Sequence, residues 1–231
     1  MVVDFPTWVP IVALLVCTSG FAFAYVQDEI RKSVVLFYNL ETDSQKDYQS
    51  LHEAFDQLGS CSRVWHVEAA GAVKDRKYHA GATSVVQRKP ISLSKSPPPF
   101  VKTNIDVPAI PGGQQTLYFF PDRLLVFEPN GVGAVGYRDL VVEIQPTRFV
   151  EDGSVPEDAT IVGRTWRYVN KKGEPDRRFK DNRELPIALY EDIHFKSKSG
   201  LNELVQFSKS GVGQAFGEAI GEPHQSDHPS A

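Results

Sequence analysis

The sequence predicts an α+β fold: an N-terminal transmembrane helix, a small strand–helix–strand unit, then a mostly antiparallel β domain ending in a helix. Three observations predict it. Residues 5–27 carry no charged side chain. Residues 44–59 place apolar side chains three and four apart, between two β-branched and aromatic runs. From Lys102 onward, short alternating runs are separated by Pro, Gly, Asn and Asp turns, which indicates a sandwich or barrel.

The uncharged N-terminal run has three competing readings. As a helix, residues 5–27 extend about 34 Å, slightly more than a bilayer's hydrocarbon core. Trp8 and Tyr25 stand near its ends, where amphipathic rings favour the membrane–water interface. A signal peptide would find a cleavage site at Ala22-Phe23-Ala24, but Met1-Val2-Val3-Asp4 lacks the basic start. A core helix is seldom uncharged for this length. A membrane anchor is therefore the expectation. Arg31 and Lys32 follow the run and no basic residue precedes it, so the mass of the chain is expected on the cytoplasmic side.

Next, Ser33-Val34-Val35-Leu36-Phe37-Tyr38 reads as a buried strand. Asp43 or Ser44 caps a helix whose stripe is Tyr48, Leu51, Phe55 and Leu58, and Gly59 ends it. Residues 62–68 alternate as a strand does. Residues 33–95 are thus expected as a strand–helix–strand unit with its two strands parallel. No glycine-rich loop joins strand to helix, which argues against a nucleotide site. Ser94-Lys95-Ser96-Pro97-Pro98-Pro99 marks a linker.

The β domain is expected over 100–221. Thr103–Val107 is short and extended, and Thr116–Glu128 contains two strands joined near Pro121-Asp122. Pro129-Asn130-Gly131 is a tight turn, Val132–Tyr137 the next strand, and Leu140–Gln145 its continuation after a kink. Ile161–Val169 alternates well. Leu185–Tyr190, Ile193–Phe195 and Leu204–Phe207 follow, with a helix over Gly211–Ile220. Residues 222–231 read as a disordered tail.

The stretch Leu117-Tyr118-Phe119-Phe120-Pro121-Asp122-Arg123-Leu124-Leu125-Val126-Phe127, with Gly133–Leu140, resembles the early strands of bacterial pleckstrin-homology-like and GRAM-like domains. The same stretch and Arg164–Pro186 are similar to a family of bacterial proteins without a firm activity. The resemblance covers about 100 residues. It implies a small, partly open barrel with a capping helix. The segment from Gln145 to Leu185 is longer than a minimal domain of that type.

Composition narrows the function. A formal net charge of −4, with 23% charged and 41% hydrophobic residues, describes an ordinary folded chain rather than a nucleic-acid binder. The two cysteines, Cys17 and Cys61, cannot build a disulfide framework or a zinc site. No Gly-x-Ser-x-Gly, His-Glu-x-x-His or Walker motif occurs. Scattered acids such as Asp122, Asp139, Glu143 and Asp152 show no pairing for acid–base work. No catalytic residue, metal ligand or cofactor is therefore expected.

One constellation stands out. Residues 164–183 hold eight basic side chains against three acids. Asn170-Lys171-Lys172-Gly173 reads as a hairpin tip carrying charge. Arg164, Arg167, Lys171, Lys172, Arg177 and Arg178 are the candidate ligand-binding residues, because Arg and Lys suit phosphate. The plainer alternative is a solvated hairpin whose charges pair with local acids. Lys74–His79 forms a second polar cluster, and His66 reads as a packed or surface histidine. His224 and His228 lie between prolines that disfavour a helical metal pair. The expected role is a membrane-anchored, non-catalytic binding module for an anionic lipid headgroup, a phosphorylated ligand or a protein partner. An enzyme of hydrolase or transferase type, or a pure scaffold, is the alternative.

Overall fold

A computed structural model describes residues 8–40, 42–72 and 84–221. The expectations for Lys74–His79, His224, His228 and the tail fall outside them. The chain divides into two compact units.

The smaller unit joins residues up to Asn39 with Pro97–Asp106. It holds helix α1 (Trp8–Lys32), strand β1 (Val34–Leu36) and strand β5 (Val101–Thr103), which pairs with β1 in parallel. Asn104 locks the end of this pair: its Oδ1 accepts from Tyr38 N at 2.9 Å and its Nδ2 donates to Tyr38 O at 2.8 Å. Among the described residues no helix is long and apolar enough to cross a membrane. The transmembrane helix over 5–27 is therefore corrected, and with it the single-pass localisation with a cytoplasmic domain. Residues 5–7 lie outside the described residues, and α1 continues past the uncharged run through Asp28, Glu29, Arg31 and Lys32. Near its middle the Thr18 and Ser19 hydroxyls donate back to Leu15 O and Val16 O.

Among its described residues the larger unit contains two antiparallel sheets and two α-helices. Its elements are α2 (Thr42–Gly59), β2 (Val64–Ala72), β3 (Ser84–Ile91), β4 (Ser94–Lys95), β6 (Pro108–Gly112), β7 (Gln115–Phe119), β8 (Arg123–Glu128) and β9 (Gly131–Gly136). After these come β10 (Leu140–Val150), β11 (Thr160–Trp166), β12 (Glu184–Ser197), β13 (Asn202–Phe207) and α3 (Gly213–Gly221). One sheet has the order β10-β12-β13-β2-β3, with β11 also pairing β12; the other has the order β4-β6-β7-β8-β9.

The expected strand–helix–strand unit does not form. β1 pairs with β5, whereas β2 pairs with β13 and β3. The apolar stripe of α2 packs elsewhere: Tyr48, Leu51, Phe55 and Leu58 are all buried. Phe216 of α3 lies 6.2 Å from Phe55, 5.2 Å from Phe119 of β7 and 6.3 Å from Phe195 of β12. Both sheets and both helices thus share one aromatic core, where burying each ring contributes about 1.5–3 kcal/mol.

The pleckstrin-homology-like barrel is also corrected: neither sheet closes on itself. Closure would need β9 to pass its pairing on to β10. Instead a 3-10 turn, Tyr137–Asp139, carries the chain from one sheet to the other. Tyr137 OH donates to Phe120 O and holds the corner in place. The strand expected as a continuation after a kink therefore belongs to the opposite sheet. The two runs Leu185–Tyr190 and Ile193–Phe195 are one 14-residue strand, β12, because Glu191 and Asp192 between them are buried with partners of their own.

Candidate functional site

The basic segment is a long hairpin joining β11 to β12. Its base is laced by Arg167 N donating to Arg183 O at 2.9 Å, and by Asn182, whose Oδ1 accepts from Tyr168 N and whose Nδ2 donates to Tyr168 O. Tyr168 stacks on Phe179 with ring centroids 4.1 Å apart and planes 14° from parallel.

Asn170 builds the tip. Its Oδ1 accepts from Lys172 N at 2.8 Å and from Glu174 N at 3.0 Å, while its own N–H donates to Glu174 O. This is the side-chain turn that asparagine forms well. Gly173 supplies the left-handed backbone, with φ +84°, that a tight reversal needs. Below the tip, Asp176 is buried and accepts from Arg178 N at 3.1 Å, Nε at 3.0 Å and Nη2 at 2.5 Å. An open groove of about 460 Å³ is lined by Asn170, Lys171, Lys172, Glu174, Asp176 and Arg178.

Of the six expected residues, the groove gathers Lys171, Lys172 and Arg178. Arg164 lies on β11 and pairs with Glu184 at 3.2 Å. The Arg167 guanidinium lies 5.6 Å from the Tyr168 ring centroid. Arg177 is exposed beside the groove without lining it. Local acids account for Arg164, Arg178 and Arg183, whose partners are Glu184, Asp176 and Asp152. Among the described residues, Lys171, Lys172 and Arg177 have no ion pair.

Two polar clusters escaped sequence reading. In the first, the Arg88 guanidinium lies between the Trp65 and Phe149 rings, 4.0 and 3.9 Å from their centroids. Its Nη2 donates to Glu151 Oε2 at 2.5 Å and its Nη1 to Gln206 Oε1 at 2.8 Å. Tyr190 OH donates to the same Glu151 oxygen at 2.8 Å, and burial together with that carboxylate pushes its phenol well above the usual range. Gln206 Nε2 then donates to Asp192 Oδ1, and Thr147 Oγ1 to Asp192 Oδ2.

In the second cluster, His66 Nε2 and Glu203 Oε2 are 2.6 Å apart. Burial raises the Glu203 carboxyl above its ordinary value against the opposing pull of the His66 hydrogen bond. A Cβ on Gly113 would stand 3.0 Å from His66 Cε1, so the β6–β7 turn lies directly on the imidazole. That leaves the pair packed rather than open to a substrate. Among the described residues, no three His, Cys, Asp or Glu side chains are grouped to hold a metal ion.

No protein-family model matches this chain, and no curated protein or solved structure matches it either.

Proposed function

We propose that this protein is a non-catalytic binding module that takes a phosphate-bearing ligand on the tip of its basic hairpin. One observation carries the proposal: Lys171 and Lys172, on a tip braced by Asn170 and Gly173, and Arg177 just below it are exposed, with no ion pair among the described residues. Cations without local partners keep their full charge for an incoming anion. A rigid tip also loses little entropy when the anion arrives. Ammonium and guanidinium groups both form charge-assisted hydrogen bonds to phosphate oxygens. Support comes from the hairpin itself, since the barrel implied by the resemblance does not close.

The ligand's phosphate has two sources, a free phosphorylated molecule or a lipid headgroup. Inorganic tripolyphosphate titrated into the full chain, followed by amide NMR, tests the shared chemistry. Saturable shifts over residues 169–180 that fade with salt are expected. Vesicles of phosphatidylcholine with and without a phosphoinositide then separate the sources. Absence of saturable shifts at low salt would overturn the proposal.

A further inference from the structure

We propose that the hairpin groove takes a phosphate linked to a primary ammonium, a phosphoethanolamine group, with Glu174 accepting the ammonium; this rests on the phosphate-binding role proposed for the same tip. Lys171, Lys172 and Glu174 line one groove, and all three are exposed. Asn170 Oδ1 accepts from the backbone N–H groups of both Lys172 and Glu174, at 2.8 and 3.0 Å. One side-chain oxygen thus fixes a cation-bearing and a carboxylate-bearing residue side by side on the turn. Among the described residues neither makes an ion pair, with the other or with anything else. The tip therefore presents unneutralised charge of both signs to one groove.

The two acids of the groove differ. Asp176 is buried and committed to Arg178, whose backbone N–H and guanidinium it already holds. Glu174 Oε2 accepts from Asn170 Nδ2 at 3.1 Å, and its Oε1 has no partner among the described residues. A groove for a bare phosphate gains nothing from such a carboxylate, because two anions in one site repel. A ligand that carries a cation beside its phosphate turns that repulsion into a contact, which is how a charged site discriminates between ligands.

The form of the cation follows from the acceptor. A carboxylate oxygen takes charge-assisted hydrogen bonds from the N–H groups of a primary ammonium. A quaternary ammonium has no N–H to give and is held by aromatic faces instead. The hairpin's aromatic pair, Tyr168 and Phe179, is stacked on itself and does not line the groove.

Amide NMR titrations of the full chain with phosphoethanolamine, phosphocholine and ethyl phosphate read the preference. Phosphoethanolamine should bind about threefold more tightly than phosphocholine, which has the same charges without the ammonium N–H. Glu174→Gln keeps an oxygen for Asn170 Nδ2. It should abolish that difference and tighten ethyl phosphate by about twofold. Phosphatidylcholine vesicles with and without phosphatidylethanolamine then separate a lipid headgroup from a free phosphomonoester. Equal affinity for phosphoethanolamine and phosphocholine, or a preference that survives Glu174→Gln, would overturn the ammonium contact and leave the phosphate site standing. If no phosphate probe, tripolyphosphate included, shifts residues 169–180, both fall.

Discussion

Two sets of cations in the larger unit stand in opposite surroundings. Arg88 is enclosed between two aromatic rings, with a carboxylate on one side of its fork and an amide on the other. Lys171, Lys172 and Arg177 stand in solvent on a hairpin whose shape comes from Asn170, Gly173 and the Tyr168–Phe179 stack. An enclosed charge is inseparable from its partners, because removing one leaves another buried and uncompensated. An exposed charge on a braced turn is dispensable to the fold. Function is therefore sought in the second group and stability in the first.

The sharpest way to break this contrast is Arg88→Met. It strands Glu151 under Tyr190 and should destabilise the protein by about 3–5 kcal/mol in urea unfolding. Adding Glu151→Met should recover part of that loss, since a paired apolar replacement leaves no orphan charge. An unchanged urea midpoint for Arg88→Met would mean the enclosed cluster contributes nothing. Next in size is Glu191→Ala. The Glu191 carboxylate accepts from Gly211 N at 2.7 Å, Val212 N at 2.9 Å and Gly213 N at 2.5 Å, the amides that lead into α3 and its first residue. Truncation should cost about 2 kcal/mol and loosen Phe216 from the shared core. Amide exchange that stays slow along α3 would contradict this role.

A smaller effect tests the His66–Glu203 pair. A carboxyl whose native pKa lies above its unfolded value binds its proton more tightly in the folded state. Its contribution is fully present below the unfolded pKa and is lost as pH rises through the native value. Glu203 is raised in this way by burial. The contribution of Glu203 should therefore fall as pH rises above about 4, so the unfolding midpoint of Glu203→Gln should gain on that of the native chain over that range. Equal slopes for the two chains would remove Glu203 from the account.

Local features of the fold were legible in the sequence, while its long-range pairing was not. The stripe Tyr48, Leu51, Phe55 and Leu58 announces a buried helix face, and all four are buried. Asn170 and Gly173 announce a hairpin tip, since both residue types favour such turns. What β1 pairs with is a choice between strands 67 residues apart in register, and no local pattern encodes it. The 3-10 corner at Tyr137 likewise looks like a kink within one sheet. Glu191-Asp192 was the informative oddity. Two acids inside an apolar strand read as a break, yet burial with partners is the other physical solution. The partners are Gly211, Val212 and Gly213 for Glu191, and Thr147 and Gln206 for Asp192. Arg88 gave no signal at all, because its rings and carboxylate come from distant strands.

The most direct test compares the native chain with a Lys171→Gln, Lys172→Gln, Arg177→Gln variant in both tripolyphosphate affinity and urea stability. The account predicts stability within about 0.5 kcal/mol of the native chain and affinity reduced at least about tenfold. Equal affinity would contradict it, and the hairpin would then be a solvated loop.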